Sequence, residues 1–166
     1  MKRLKLAVLI FAALIVHIAV NRYVNVFNAV PDIFLALSLS YAVIETEIYY
    51  TAGMSVVCGL ISSALSANGF YINMIVFVIG CAAVYEADKK IRTMPKWSKS
   101  ALSSLIVSAV GGFAVYIVPN MDFSLDAFLS YLLPSVIFNT VYVMIIYPIL
   151  KKVIRLDKIH SSLLIS

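Results

Sequence analysis

The chain has 166 residues, 63% hydrophobic and 13% charged, with a net charge of +5 and a mean hydropathy of +1.00. A soluble domain is nearer half apolar and about a quarter charged, so the composition predicts an all-α integral membrane protein. Six spans of roughly 20 residues leave no length for a soluble catalytic head. The basic residues flank apolar runs instead of lining one surface, which argues against a nucleic-acid partner.

The first predicted span covers about 5–27. Lys2-Arg3-Leu4-Lys5 before an apolar run also resembles a signal peptide, but Ala19-Val20-Asn21 is a poor cleavage site, so an uncleaved span is expected. The second span covers 31–45. Pro31 suits a helix start, where its missing N–H costs nothing. Only Ile33 to Ile44 separates Asp32 from Glu45. Those residues make roughly 18 Å of helix against an apolar core of about 30 Å. A re-entrant hairpin would put the mid-chain basic cluster opposite the N-terminus, so a crossing helix is expected, with local bilayer thinning or with both acids shielded by neighbouring helices.

Ile48 to Tyr85 carries no charge and is divided by Ala67-Asn68-Gly69-Phe70-Tyr71, since Asn-Gly is a turn signal. This gives spans at 48–67 and 70–86. The fifth, 99–119, ends at Pro119-Asn120. The sixth, 126–150, contains Pro134 and Pro148, each expected to kink it. The whole, 1–166, reads as a single polytopic domain.

Twelve of the thirteen Lys and Arg residues fall in three clusters: Lys2, Arg3 and Lys5; Lys89, Lys90, Arg92, Lys96 and Lys99; and Lys151, Lys152, Arg155 and Lys158. Cytoplasmic loops carry the excess of basic residues, so both termini and the mid-chain loop are expected inside, with Arg22 alone on the far side. The mid-chain cluster could anchor to anionic membrane lipids or contact a cytoplasmic partner, Lys96 and Lys99 being the interface candidates. Trp97 beside them suits either.

Two spans carry small residues every four positions: Ser55, Gly59, Ser63 and Ala67 in the third, and Ser100, Ser104, Ser108 and Gly112 in the fifth. Such a stripe lets helix backbones approach closely. It packs either within the bundle or against a partner's membrane helix. Ser55, Gly59, Ser63, Ser104, Ser108 and Gly112 are therefore partner-interface candidates.

Ionisable groups in spans are functional candidates by default: here His17, Asp32, Glu45, Glu47 and Glu86. His17 reads as a histidine satisfied inside the bundle. Glu45 and Glu47 read as a turn, and Glu86 with Asp88, Lys89 and Lys90 as a charge network. Cys58 and Cys81 lack metal spacing and read as structural. No G-x-S-x-G, P-loop or H-E-x-x-H occurs. The expectation is a non-enzyme with no cofactor, no metal and no catalytic residues.

Three blocks carry a family resemblance. Pro31-Asp32 before a short Leu-rich span resembles the start of the second span in the rod shape-determining protein MreD family. Gly59-Leu60 resembles a Gly-Leu step of that family, which has an acid where this chain has Ser63. Leu133-Pro134-Ser135, then Asn139, then Tyr147-Pro148 followed by Lys151-Lys152, resembles the family's last span. The family-motif residues are thus Pro31, Asp32, Gly59, Pro134, Asn139 and Pro148. The resemblance implies a multi-pass protein of the bacterial cytoplasmic membrane that serves as a scaffold in cell-wall elongation and cell shape. Implied partners are an MreC-like bitopic protein, the elongation transpeptidase, a RodA-type glycosyltransferase and the cytoplasmic MreB filament. The implied fold resembles the S component of energy-coupling-factor transporters. That likeness supplies the alternative, a vitamin-binding S component. Ala7, Ala12, Ala13 and Ala19 form no Ala-x-x-x-Ala pair of the kind such components use for docking.

Overall fold

The computed structural model describes residues 2–23, 32–45, 47–65, 70–91, 93–117, 126 and 128–163. Among them are six α-helices: α1 (Lys2–Tyr23), α2 (Ile33–Ile44), α3 (Ile48–Leu65), α4 (Phe70–Lys90), α5 (Lys96–Ile117) and α6 (Leu133–Leu163), the last preceded by a π-helical turn at Phe128–Leu132. The expected breaks at Ala67–Gly69 and Pro119-Asn120, like Pro31, lie outside the described residues. Two described segments, Ile48–Leu65 and Phe128–Ile154, are long and apolar enough to cross a membrane; Leu6–Ala19 and Ile33–Ile44 are shorter apolar helices.

The shortest helix is the centre of the fold. Every residue of α2 from Ile33 to Val43 is buried, with α3, α4, α5 and α6 packed around it and α1 touching it more lightly. A helix that is apolar all round belongs in an interior. In lipid, however, apolar burial gains little, because the tails are as apolar as the side chains. What places α2 is close packing and the need to satisfy its ends. A helix leaves its terminal N–H and C=O groups without partners of its own, and where these are buried each must be satisfied by another part of the chain.

Packing around α2 uses both small-residue stripes. Ser55, Gly59 and Ser63 are buried, as are Ser100, Ser104 and Ser108. The closest approach is between α3 and α4, where a β-carbon on Gly59 would stand 2.9 Å from the Met74 Cα and 3.3 Å from the Phe77 Cβ. On α5 a β-carbon on Gly112 would meet the Leu132 side chain, 2.7 Å from Cδ1 and 3.2 Å from Cγ, and no backbone atom. The stripes face inward, and the exposed apolar side chains lie elsewhere: Val8, Phe11, Ile15 and Ile18 on α1, Leu105, Ile106 and Val110 on α5, and Ile137, Met144 and Ile145 on α6. Cys58 and Cys81 are free thiols buried in the same core.

Pro134 occupies the second position of α6, directly after the π-helical turn. Its ring has no N–H and would press on the carbonyl four residues back; a wider turn makes that room. Pro134 thus lies at the start of α6 and inside the apolar segment Phe128–Ile154. Helix α6 continues through Pro148 for 31 residues in all.

Candidate functional site

Two polar assemblies close the ends of α2. At its start, Asp32 is the N-cap: Oδ1 accepts from the backbone N–H of Phe34 at 2.9 Å and of Leu35 at 3.2 Å. Oδ2 accepts from the Ser62 hydroxyl of α3. The backbone N–H of Asp32 donates to Asn139 Oδ1 of α6 at 2.7 Å, and Asn139 Nδ2 donates to Ser108 Oγ of α5 at 3.2 Å. From α1, His17 comes in nearly fully buried, its ring 5.4 Å from the Phe34 ring at 55°, within electrostatic reach of Asp32. The Asp32 carboxylate thus caps α2 and ties it to α3, while side chains of α1, α5 and α6 gather around the same helix start.

The local sequence explains each contribution. Aspartate is a preferred N-cap because its oxygens meet the free N–H groups of the first turn, and a negative charge is favoured at that end of the helix dipole. Asparagine brings a donor and an acceptor on one amide, so Asn139 can bridge a backbone N–H of α2 and a hydroxyl of α5. Ser62 lies one turn beyond Cys58 on the buried face of α3.

At the other end of α2, Tyr41 donates its hydroxyl to Glu45 Oε2 at 2.9 Å, and Glu45 N–H closes the helix on the Tyr41 carbonyl at 2.8 Å. Lys96 Nζ donates to the Val43 carbonyl at 2.9 Å, placing a cation where the helix dipole favours one. Lys96 and Lys99 start α5, however, where cations oppose the dipole. Asp88 offsets this: its carboxylate lies 2.7 Å from Lys99 and 3.7 Å from Lys96, and its carbonyl accepts from Lys99 at 3.2 Å. Outside this clasp, Lys89 sits 3.6 Å from Glu86 and 4.2 Å over the Tyr85 ring. A hydrogen bond to Tyr85, with Glu86 nearby, raises its pKa above the usual lysine value.

The structure therefore brings together Asp32, Asn139 and Ser108, which the sequence had placed in separate motifs. It adds Ser62 and His17 to them. It holds both acids of the short helix among neighbouring helices. It turns Lys99 into the bundle, 9% exposed, and leaves Lys96 about half exposed. Ser55 bonds its own helix, donating to the Ala52 carbonyl at 2.8 Å. Pairing across the elbow between α4 and α5 was missed: Asp88 had been grouped with its helical neighbours, whereas it turns to Lys99, eleven residues on. Ser62 was missed because one serine among several carries no distinguishing signal.

Chemically, the assembly at Asp32 is committed to holding helices. Both carboxylate oxygens and the Asn139 amide spend hydrogen bonds on other parts of the chain. Among the described residues no three His, Cys, Asp or Glu side chains converge to hold a metal ion.

The family model of rod shape-determining protein MreD matches residues 2–156 of the chain. Comparison with curated proteins finds no match, and comparison with solved structures finds none either.

Proposed function

From the premise that the chain belongs to the rod shape-determining protein MreD family, we propose that this membrane protein serves rod-shape determination as a non-catalytic scaffold of the cell-wall elongation complex. The observation that carries the reading is the extent of the family match, which spans the whole bundle from α1 into α6. The way the core is tied supports it. A scaffold needs a stiff body with free outer surfaces. Here α2 is fastened at both ends, while α1, α5 and α6 keep apolar faces outward.

In this reading all six helices cross the bacterial cytoplasmic membrane, with both termini and the α4–α5 elbow cytoplasmic. The distribution of basic residues supports that orientation. The partners are an MreC-like bitopic protein, the elongation transpeptidase, a RodA-type glycosyltransferase and the MreB filament, held by the outward faces and not by the inward serine stripes.

Affinity purification of the full chain in mild detergent tests the reading. Co-elution of cell-wall elongation proteins, lost with restored round shape in cells carrying Asp32→Ala, is the expected result. Co-elution of a transport ATPase, or saturable binding of a water-soluble vitamin, would sink it. Orientation is checked separately with Lys90→Cys: labelling by an impermeant reagent in intact cells would reverse it.

A further inference from the structure

The elbow between α4 and α5 has a composition and a shape that no role in the clasp uses. Between Glu86 and Lys99 the sequence places five basic residues against two acidic ones. The structure shows how those charges are divided. Asp88 draws Lys96 and Lys99 toward the bundle, and Lys99 is taken out of solvent. That leaves Lys89, more than half exposed, and Lys90, also exposed, at the outer edge of α4. Beside them three apolar side chains at three-residue spacing point away from the core: Ile91 is 43% exposed, Met94 39% and Trp97 58%. The elbow thus carries three exposed apolar side chains next in sequence to exposed lysines, while Asp88 holds Lys96 and Lys99.

We propose that this elbow is a binding site for an anionic phospholipid, with Lys89 and Lys90 on the headgroup phosphate and Ile91, Met94 and Trp97 against the upper acyl chains. The surface fits a lipid better than a soluble protein. Tryptophan favours the depth where headgroup meets acyl chain, because its ring is apolar at one end and can donate a hydrogen bond at the other. Lysine stems reach along apolar surface and leave the ammonium in the polar layer. The surplus of positive charge complements the anionic leaflet that faces the cytoplasm. The clasp divides the charges: Lys96 and Lys99 are held toward Asp88, and the exposed Lys89 and Lys90 face outward. The proposal rests on the multi-pass reading for the depth of the elbow, and its test separates the two.

Trp97 is the single tryptophan of the chain, so its fluorescence reports this site alone. The full chain is reconstituted in vesicles containing dibrominated phosphatidylglycerol or, at the same mole fraction, dibrominated phosphatidylcholine. Stronger quenching by the anionic lipid is expected, weakened by high salt, because exposed charges are screened. Lys90→Gln should lower that preference by up to about fivefold, the factor one basic residue near an anionic surface supplies. Lys89→Gln should add to it, and Lys90→Gln serves alone if loss of the Tyr85 contact unfolds the first variant. Equal quenching by both lipids overturns the site while leaving the elbow at the bilayer surface. Quenching by neither overturns both the site and the depth on which it rests. An anionic preference that survives both substitutions and high salt overturns the assignment of the lysines.

Discussion

The two ends of α2 solve one problem with different chemistry. At the Asp32 end the carboxylate accepts from two backbone N–H groups of its own helix and a hydroxyl of α3, while an amide of α6 links the Asp32 N–H to a hydroxyl of α5. At the Glu45 end they are ion pairs and a lysine on a carbonyl, partly open to solvent. Hydrogen bonds hold where no water competes, and an unmade one leaves a buried group with nothing to replace it. The half-exposed Lys96 sits in a medium that can solvate its charge, so losing it costs less. The Asp32 end should therefore be the brittle one.

The largest effect is expected from Asp32→Ala. It removes the N-cap of α2, strips the Ser62 hydroxyl of its acceptor and leaves the backbone N–H groups of the buried Phe34 and Leu35 without theirs. A cap alone is worth about 1 kcal/mol, and each buried group left unsatisfied costs about 1–3 kcal/mol. The variant should be among the least stable single substitutions, seen as a large drop in the detergent melting midpoint and as failure to restore rod shape. Asn139→Leu should come close behind, since it strands the Asp32 N–H and keeps the volume. A melting curve unchanged in both variants would mean that the Asp32 end carries no special weight.

Next is the packing at the glycines of α3 and α5. Gly59→Val places a branched side chain against the Met74 backbone, which cannot step aside. Overpacking of this kind costs about 1–3 kcal/mol, and α3 and α4 should separate. Gly112→Ala meets a side chain, Leu132, and no backbone; its cost should be smaller, about 1 kcal/mol or less. The two glycines recur in stripes that look alike in sequence, so melting midpoints that fall equally would break the distinction between a backbone and a side-chain neighbour.

That distinction marks what the sequence could and could not carry. The hydrophobic runs located six helices, and the four-residue repeats identified the inward faces of α3 and α5. Pro31-Asp32 and Asn139 stood out as motif residues. Their bond to each other did not, because they are 107 residues apart and nothing in local spacing reports a contact between helices. The same holds for Asp88: its neighbours along α4 suggested pairs on one helix, and only the fold of the elbow brings Lys99 to it. The central position of α2 was hidden for a different reason. Its shortness signalled difficulty in crossing a bilayer, whereas the answer lay in the helices that surround it and complete its ends.

The smallest effects belong to the Glu45 end, and they should be non-additive. Lys96 is about half exposed and 3.7 Å from Asp88, so Lys96→Met should cost less than about 1 kcal/mol after allowance for solvent, mainly through the lost bond to the Val43 carbonyl. Lys99 is mostly buried and closer to Asp88, so Lys99→Met should cost somewhat more, about 1–2 kcal/mol. In either single variant Asp88 keeps one lysine. In the double variant it keeps neither, and a largely buried carboxylate is left without a cation, which is the costly way to break such a group. The double variant should therefore exceed the sum of the singles by about 1 kcal/mol, within the range seen for residues that share a partner. Repeating the cycle with Asp88→Asn should abolish the excess, because the shared charge is gone. Melting midpoints for the full set of variants, taken in one detergent at one salt concentration, decide it. Strict additivity with Asp88 present would mean that the two lysines act separately and that the Glu45 end is a pair of independent contacts, not a clasp.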